Sequence, residues 1–241
     1  MIQKYLFLCF VLILGSCVQS QKEKPKSTKT DYEQGLELMM KFRSVTDSAE
    51  RMKIVNQAIP LLERVYFKDT ANSTNVLLLG NAYFGRRDYQ KAIYMYFLHK
   101  EQKPDFKEID KNLAVSYREL GRKYQFMDNN PLHAKKSLTL ADSIRPNDIE
   151  TLELLGIANC ALSKFDEGKA FYNRVLKMDP NRASTYFNFS LVFAKEGKFD
   201  LCQQYLDKAN SIKPGFVNTY LERHKKGLPI YPQERPTQAP K

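Results

Sequence analysis

Residues 73–104 read STNVLLLGNAYFGRRDYQKAIYMYFLHKEQKP. Two amphipathic helices are legible here, joined by the polar turn Arg86-Arg87-Asp88. Leu79, Gly80 and Tyr83 sit on the first helix, and Tyr89, Ala92 and Tyr96 on the second. Spacings of three and four place such residues on one face of a helix. Ala92 is small enough to let two helices approach closely. Pro104 ends the unit, because proline cannot continue a helix.

The unit recurs. Pro146, Pro180 and Pro214 follow one another at intervals of 34 residues, and Phe165–Phe199 and Tyr83–Tyr117 are also 34 apart. Pro104–Pro146 and Ala92–Ala134 are both 42. The third unit therefore carries eight extra residues, which this register places between Tyr117 and Ala134. Eight residues at 3.6 per turn amount to about two turns of helix, or a helix and a loop. Asn130-Pro131 restarts a helix, with Asn as its cap and Pro at its first position. The fourth unit carries Leu155, Gly156, Phe165, Gly168, Tyr172 and Pro180. The fifth carries Tyr186, Phe189, Phe193, Gly197, Phe199, Ala209 and Pro214.

A period of 34 with Leu-Gly-Tyr on the first helix, a small residue on the second and a closing proline resembles the tetratricopeptide repeat (TPR). The resemblance covers residues 31–226. It implies an all-α fold, a right-handed α-solenoid of about five helix pairs with a C-terminal capping helix. The expected blocks are a degenerate pair at 31–72, repeats at 73–106, 107–148, 149–182 and 183–216, and a cap at 217–226. The family's frequent Trp is absent, Gly168 and Cys202 replace an alanine, and Asn159 replaces a tyrosine. None of these changes breaks the helical spacing. In the degenerate pair, Tyr32, Leu36, Met39 and Met40 form one stripe, widened by Leu38 and Phe42. Ile54, Ala58, Leu61, Leu62 and Val65 form another. Pro60 within the second helix predicts a kink or a local break. The Pro-rich tail, 227–241, reads as extended.

The front of the chain is of another kind. Residues 1–20 read MIQKYLFLCFVLILGSCVQS. The apolar run after Lys4 is shorter than the roughly 18 residues that span a bilayer and fits the core of a secretory signal peptide. Leu14-Gly15-Ser16-Cys17 resembles the lipobox of bacterial lipoproteins. That resemblance implies cleavage of 1–16, a lipidated Cys17 and a flexible Lys-rich tether over 17–30. It places the protein in the bacterial cell envelope as a lipid-anchored species. Val18 rather than Asp follows Cys17, which favours the outer membrane over inner-membrane retention. Cys160 and Cys202 are then the remaining thiols, at non-equivalent repeat positions that suggest no disulfide.

The formal net charge of +11 raises nucleic acid as a partner. An envelope leader argues against it, and no nucleic-acid partner is expected. Catalysis needs convergent groups, and none is legible. His99, His133 and His224 are the three histidines, and no two share a helix face at a spacing of four. There is no phosphate loop, nucleophile elbow or CxxC. No enzymatic activity, cofactor or metal is expected.

What remains is surface. In TPR arrays the first helix of each pair lines a concave groove, on the face turned from the Leu-Gly-Tyr packing. By resemblance the partner-binding positions are Leu77, Asn81 and Phe84; Lys111, Val115 and Arg118 with Glu119; Glu150, Glu153, Ile157 and Cys160; and Ser184, Phe187, Leu191 and Lys195. Asn81 and Asn112 resemble part of the lysine–asparagine clamp with which some TPR modules hold a carboxylate. Leu77 stands at the lysine's place, so the likeness stops short of a clamp. Phe84 and Phe187 are costly in an open groove unless a partner, the insertion or the terminal helix covers them. In the insertion, Tyr124, Phe126 and Met127 lie close to Arg122 and Lys123. The function expected is a lipid-anchored adaptor or assembly factor with a peptide or helix of a partner protein in its groove. Two alternatives are a pilotin-like delivery factor for an outer-membrane complex and a direct binder of an anionic envelope polymer.

Overall fold

The structure, a computed structural model, describes residues 29–225. The expected signal peptide, Cys17, most of the expected tether and the Pro-rich tail lie outside the described residues. The described chain is eleven helices, in the order α1 (Asp31–Ser44), α2 (Ser48–Lys68), α3 (Ser73–Gly85), α4 (Tyr89–Gln102), α5 (Glu108–Phe126), α6 (Pro131–Ile144), α7 (Ile149–Ala161), α8 (Phe165–Met178), α9 (Ala183–Lys195), α10 (Phe199–Ile212) and α11 (Phe216–Lys225). They pack as consecutive antiparallel pairs, each resting on the next, in an all-α solenoid.

Local chemistry starts the helices. Asp47, Asn72, Asp88, Asn130 and Asp148 each accept a hydrogen bond from the backbone N–H three residues on. Pro131 takes the first helical position after Asn130. The turns within pairs close alike. Asp88 N donates to Tyr83 O at 2.9 Å, Lys164 N to Asn159 O at 2.9 Å and Lys198 N to Phe193 O at 2.8 Å. Each such turn needs one left-handed residue, supplied by Arg87, Ser163 and Gly197 at φ of 66°, 60° and 72°. Only Gly197 adopts that conformation without a steric cost, which is about 1–2 kcal/mol for other residues.

The helix crossing corrects the register of the insertion. The turn of the third pair is one residue longer than the others, and Asn130 N donates to Tyr124 O across six residues at 2.7 Å. Tyr124, not Tyr117, is the counterpart of Tyr83, because α5 crosses its partner at Gly121. Gly121 is the counterpart of Gly80: a Cβ on Gly121 would meet Leu138 Cγ at 2.6 Å, as one on Gly80 would meet Tyr96 Cε1 at 2.7 Å. The extra residues therefore lie mostly before Gly121. α5 has 19 residues where α3, α7 and α9 have 13. Its added turns bring Ile109 and Leu113, both 1% exposed, into the core shared with α1–α4. The 34-residue Tyr83–Tyr117 spacing is a coincidence of helical repeat.

The core follows the pairs. One cluster runs through α1–α5, a second joins α6, α7 and α8, a third joins α8 and α9, and a fourth joins α9, α10 and α11. Tyr96 is fully buried beneath Gly80. One expectation fails in the degenerate pair. Met40 is 64% exposed, because it falls on the outer side of the stripe that buries Met39 and Phe42. α2 runs unbroken through Pro60, which sits on its exposed side.

Candidate functional site

Successive first helices touch: α1 meets α3, α5 meets α7, and α7 meets α9. Second helices do not meet to the same degree, so the face of the first helices is the inner one. The ladder is not continued as closely between α3 and α5, where the longer α5 enters.

One register position on that inner face hooks each repeat to the next. Arg118, Glu153 and Phe187 each stand three residues before the crossing residue of their helix, at Gly121, Gly156 and Ser190. Arg118 Nη1 donates to both Asp148 carboxylate oxygens, at 3.2 and 3.3 Å. Glu153 accepts from Arg182 Nε at 3.2 Å and Nη2 at 2.8 Å. Phe187 meets Phe216 edge-on, with ring centroids 6.1 Å apart. Asp148, Arg182 and Phe216 are themselves 34 residues apart. The same contact is therefore made with charge in one order, then the reverse, then with two aromatic rings.

Around the first hook the charges form a network. Arg118 also pairs with Glu119 at 3.2 Å and Glu150 at 3.4 Å, and Arg122 pairs with Glu119 at 3.2 Å. Burial works against the Arg118 charge, but Glu119, Glu150 and Asp148 outweigh it and raise its pKa. Burial likewise opposes the Asp148 carboxylate. Arg118 and the Thr151 N–H and hydroxyl overcome it and hold the pKa below the usual value. Glu153 is 5% exposed, and Ser184 Oγ and Thr185 Oγ1 each donate to its other oxygen at 2.6 Å. This carboxylate is fully engaged.

The sequence-predicted groove residues thus divide. Phe84 is 0% exposed and packs against Tyr89, with centroids 5.5 Å apart. Phe187 is 4% exposed beneath Phe216 and Tyr220 of α11. Both belong to the core, which corrects the expectation of open aromatic anchors; in the case of Phe187 the terminal helix is what covers it. Asn81 is buried and accepts a hydrogen bond from the Tyr96 hydroxyl at 2.8 Å. Arg118 and Glu153 hold repeats together. Leu77, Val115, Ile157 and Cys160 are half-buried, and burial raises the pKa of the Cys160 thiol. Lys111, Leu191 and Lys195 are exposed, Leu191 by 45%. Asp148 and Arg182 were not legible as inner-face residues, since both lie in connections between pairs. Their spacing of 34 was the available signal.

Other polar groups are structural. His99 Nδ1 lies 2.9 Å from Ser73 O and the ring abuts Phe106 edge-on, tying α4 to the start of α3. Cys160 and Cys202 are free thiols. Burial, then Glu119, pushes the Tyr89 hydroxyl up to about 12. Among the described residues no group of His, Cys, Asp and Glu side chains could hold a metal, and no helix is long and apolar enough to cross a membrane.

Residues 183–216 match the tetratricopeptide repeat family. No curated protein sequence matches the chain. Among solved structures it is similar to MamA in two crystal structures. One is 18% identical over 76% of this chain and 95% of that one, with a TM-score of 0.52; the other is 17% identical over 69% and 92%, with a TM-score of 0.51. It is also similar to YrrB, described as a TPR protein with an unusual peptide-binding site, at 20% identity over 80% and 91% and a TM-score of 0.51. At these identities the likeness is one of fold. Residues 183–216 carry a tetratricopeptide repeat, and the described chain as a whole has the all-α helix-pair solenoid fold of such proteins.

Proposed function

We propose that this protein is a lipid-anchored adaptor of the bacterial cell envelope that holds a segment of a partner protein against the inner face of α7 and α9. TPR solenoids serve as protein-interaction scaffolds, and the fold supports that reading. The observation that carries it is the pair Ile157 and Leu191. They occupy the same register position 34 residues apart, one half-buried and one 45% exposed, on a face where Phe84, Glu153 and Phe187 are covered. Apolar side chains left open on a concave face are what a partner's anchor residues cover.

A photo-crosslinking amino acid at Leu191 in cells, compared with one at Met178 on the outer helix α8, tests the groove. A discrete adduct at Leu191 that Ile157→Glu abolishes is the expected result. Equal capture from both positions would count against it. The anchor rests on Leu14-Gly15-Ser16-Cys17. Radiolabelled palmitate should label the protein and fail to label Cys17→Ala. Continued labelling of that variant would remove the lipid from the reading.

A further inference from the structure

This inference rests on the lipid-anchor reading above and concerns the face of the solenoid that meets the membrane. Among the described residues five phenylalanine and tyrosine rings are exposed: Phe67 by 77%, Tyr94 by 60%, Phe97 by 43%, Phe106 by 37% and Phe199 by 71%. All but Phe199 belong to α2, α4 or the connection that follows α4. Those four share one surface. Tyr66 adjoins Phe67, with ring centroids 5.7 Å apart. Burial, and then a hydrogen bond with Tyr94, raises the pKa of the Tyr66 hydroxyl. Phe97, one turn past Tyr94, meets Tyr117 edge-on with centroids 6.4 Å apart. Gln102 Nε2 donates to Thr70 O at 2.7 Å, which holds the end of α4 that leads to Phe106 beside the end of α2 that carries Phe67. A contiguous exposed apolar patch of this kind marks a surface that something covers.

The start of the solenoid lies in the same patch. Arg64 donates from Nε and Nη2 to the two carboxylate oxygens of Asp31, both at 2.9 Å. Asp31 is the first residue of α1, and Phe67 stands one helical turn past Arg64. The Arg64 hydrogen bond holds the Asp31 carboxyl below its usual pKa, and Lys68 acts on it in the same direction. Asp31 follows Cys17 by 14 residues, a reach of at most about 50 Å. A lipid on Cys17 therefore delivers Phe67 to the bilayer surface at high effective concentration.

Charge does not select this face. Arg64 is paired with Asp31 and Lys100 with Asp110. Lys68 and Lys91 are matched in number by Asp69 and Glu101, residues 103–108 carry two lysines and two acids, and Glu63 accepts from the Tyr83 hydroxyl. The border thus has no excess of cations, and ring area is what the surface offers. Aromatic side chains suit the boundary between headgroups and acyl chains, where an apolar body is buried and a hydroxyl stays wet.

We propose that Phe67, Tyr94 and Phe97 rest in the surface of the membrane that holds the Cys17 lipid. The patch lies on second helices and the inner face is built from first helices, so this contact leaves Ile157 and Leu191 open to a partner.

The chain has no tryptophan, so a single one reports its own surroundings. Phe67→Trp, Tyr94→Trp and Phe199→Trp are each prepared as the full lipidated chain and reconstituted in phosphatidylcholine vesicles, plain or with brominated acyl chains. The first two emit at shorter wavelength and lose emission in the brominated vesicles. Phe199→Trp, as conservative a change at a similarly exposed ring, does neither. The quenching persists at high salt and is unchanged by added phosphatidylglycerol, because screening acts on charges and not on buried rings. Quenching of none of the three, quenching of all three alike, or a requirement for phosphatidylglycerol would overturn the inference. So would a protein adduct from a photo-crosslinking amino acid at Phe97 in cells. Flotation of the same samples separates the anchor from the face. A chain that floats with the vesicles while Phe67→Trp stays unquenched keeps the anchor and removes this inference, and a chain that does not float removes both.

Discussion

Glu153 on α7 and Arg182, in the connection before α9, are joined by two hydrogen bonds, and the equivalent pair one repeat earlier, Arg118 and Asp148, carries the opposite order of charges. The position tolerates either polarity because the geometry of the hook is set by the stacking of the pairs. The sign of each partner is fixed only by the other.

That relationship predicts a rescue. Glu153→Arg alone leaves two arginines facing each other on a largely buried site. Breaking a buried pair costs about 3–5 kcal/mol, or about 10 °C in melting temperature for a chain of this size. Arg182→Glu alone is similarly harmful. The double exchange recovers more than half of the loss in a thermal melt. Recovery is partial, because Ser184 and Thr185 lose the carboxylate to which they donate. Additive losses in the double variant would show that the two residues are not coupled.

The Asp148 carboxyl makes stability depend on pH. Its pKa in the fold is below the unfolded value, so the ionised form favours folding. The contribution is complete above the unfolded carboxyl pKa of about 3.9 and disappears as pH falls through the folded value. Asp148→Asn keeps a capping oxygen, since asparagine caps as well as aspartate, and lowers stability at pH 7 by about 1–2 kcal/mol through the lost charge facing Arg118. It also flattens the acid limb of a plot of melting temperature against pH. A variant whose acid limb parallels that of the natural protein would assign the acid sensitivity to other groups.

Gly156 is the tightest of the helix crossings. A Cβ there would fall 2.2 Å from Tyr172 Cε1, on a ring that is 2% exposed. Gly156→Ala lowers stability by about 1–3 kcal/mol. Gly156→Ala combined with Tyr172→Leu restores part of it, because the smaller side chain makes room. Denaturant midpoints check both.

Phe187 and Leu191, one helical turn apart, part company. Phe187→Ala opens a cavity between α9 and α11 and costs about 3–5 kcal/mol, so any loss of partner capture follows loss of fold. Leu191→Ser changes stability by no more than about 0.5 kcal/mol, as expected of an exposed site, and reduces capture all the same. Melting and crosslinking measured on the same preparations separate the two roles.

Much of the architecture was legible because a repeat leaves a period. The prolines at 146, 180 and 214 and the glycines at 80 and 156 are where a helix must stop or two helices must touch, and few other residues serve. The third pair was misread because a helix nearly repeats every seven residues. Leu113-Ala114-Tyr117 and Leu120-Gly121-Tyr124 present the same small-plus-aromatic spacing, and only the partner helix decides which one crosses.

The site was legible as a face and not as a function of each residue. Helical geometry places Glu153, Ile157, Phe187 and Leu191 on the inner side of their helices. Whether such a side chain stays available depends on what the next connection brings against it. Arg182 takes Glu153, Phe216 and Tyr220 cover Phe187, and nothing of the kind reaches Leu191. Period, polarity and helix ends are local properties, written in spacings within one pair. Burial on the inner face is a contact between residues about 30 apart, decided only when one pair is stacked on the next.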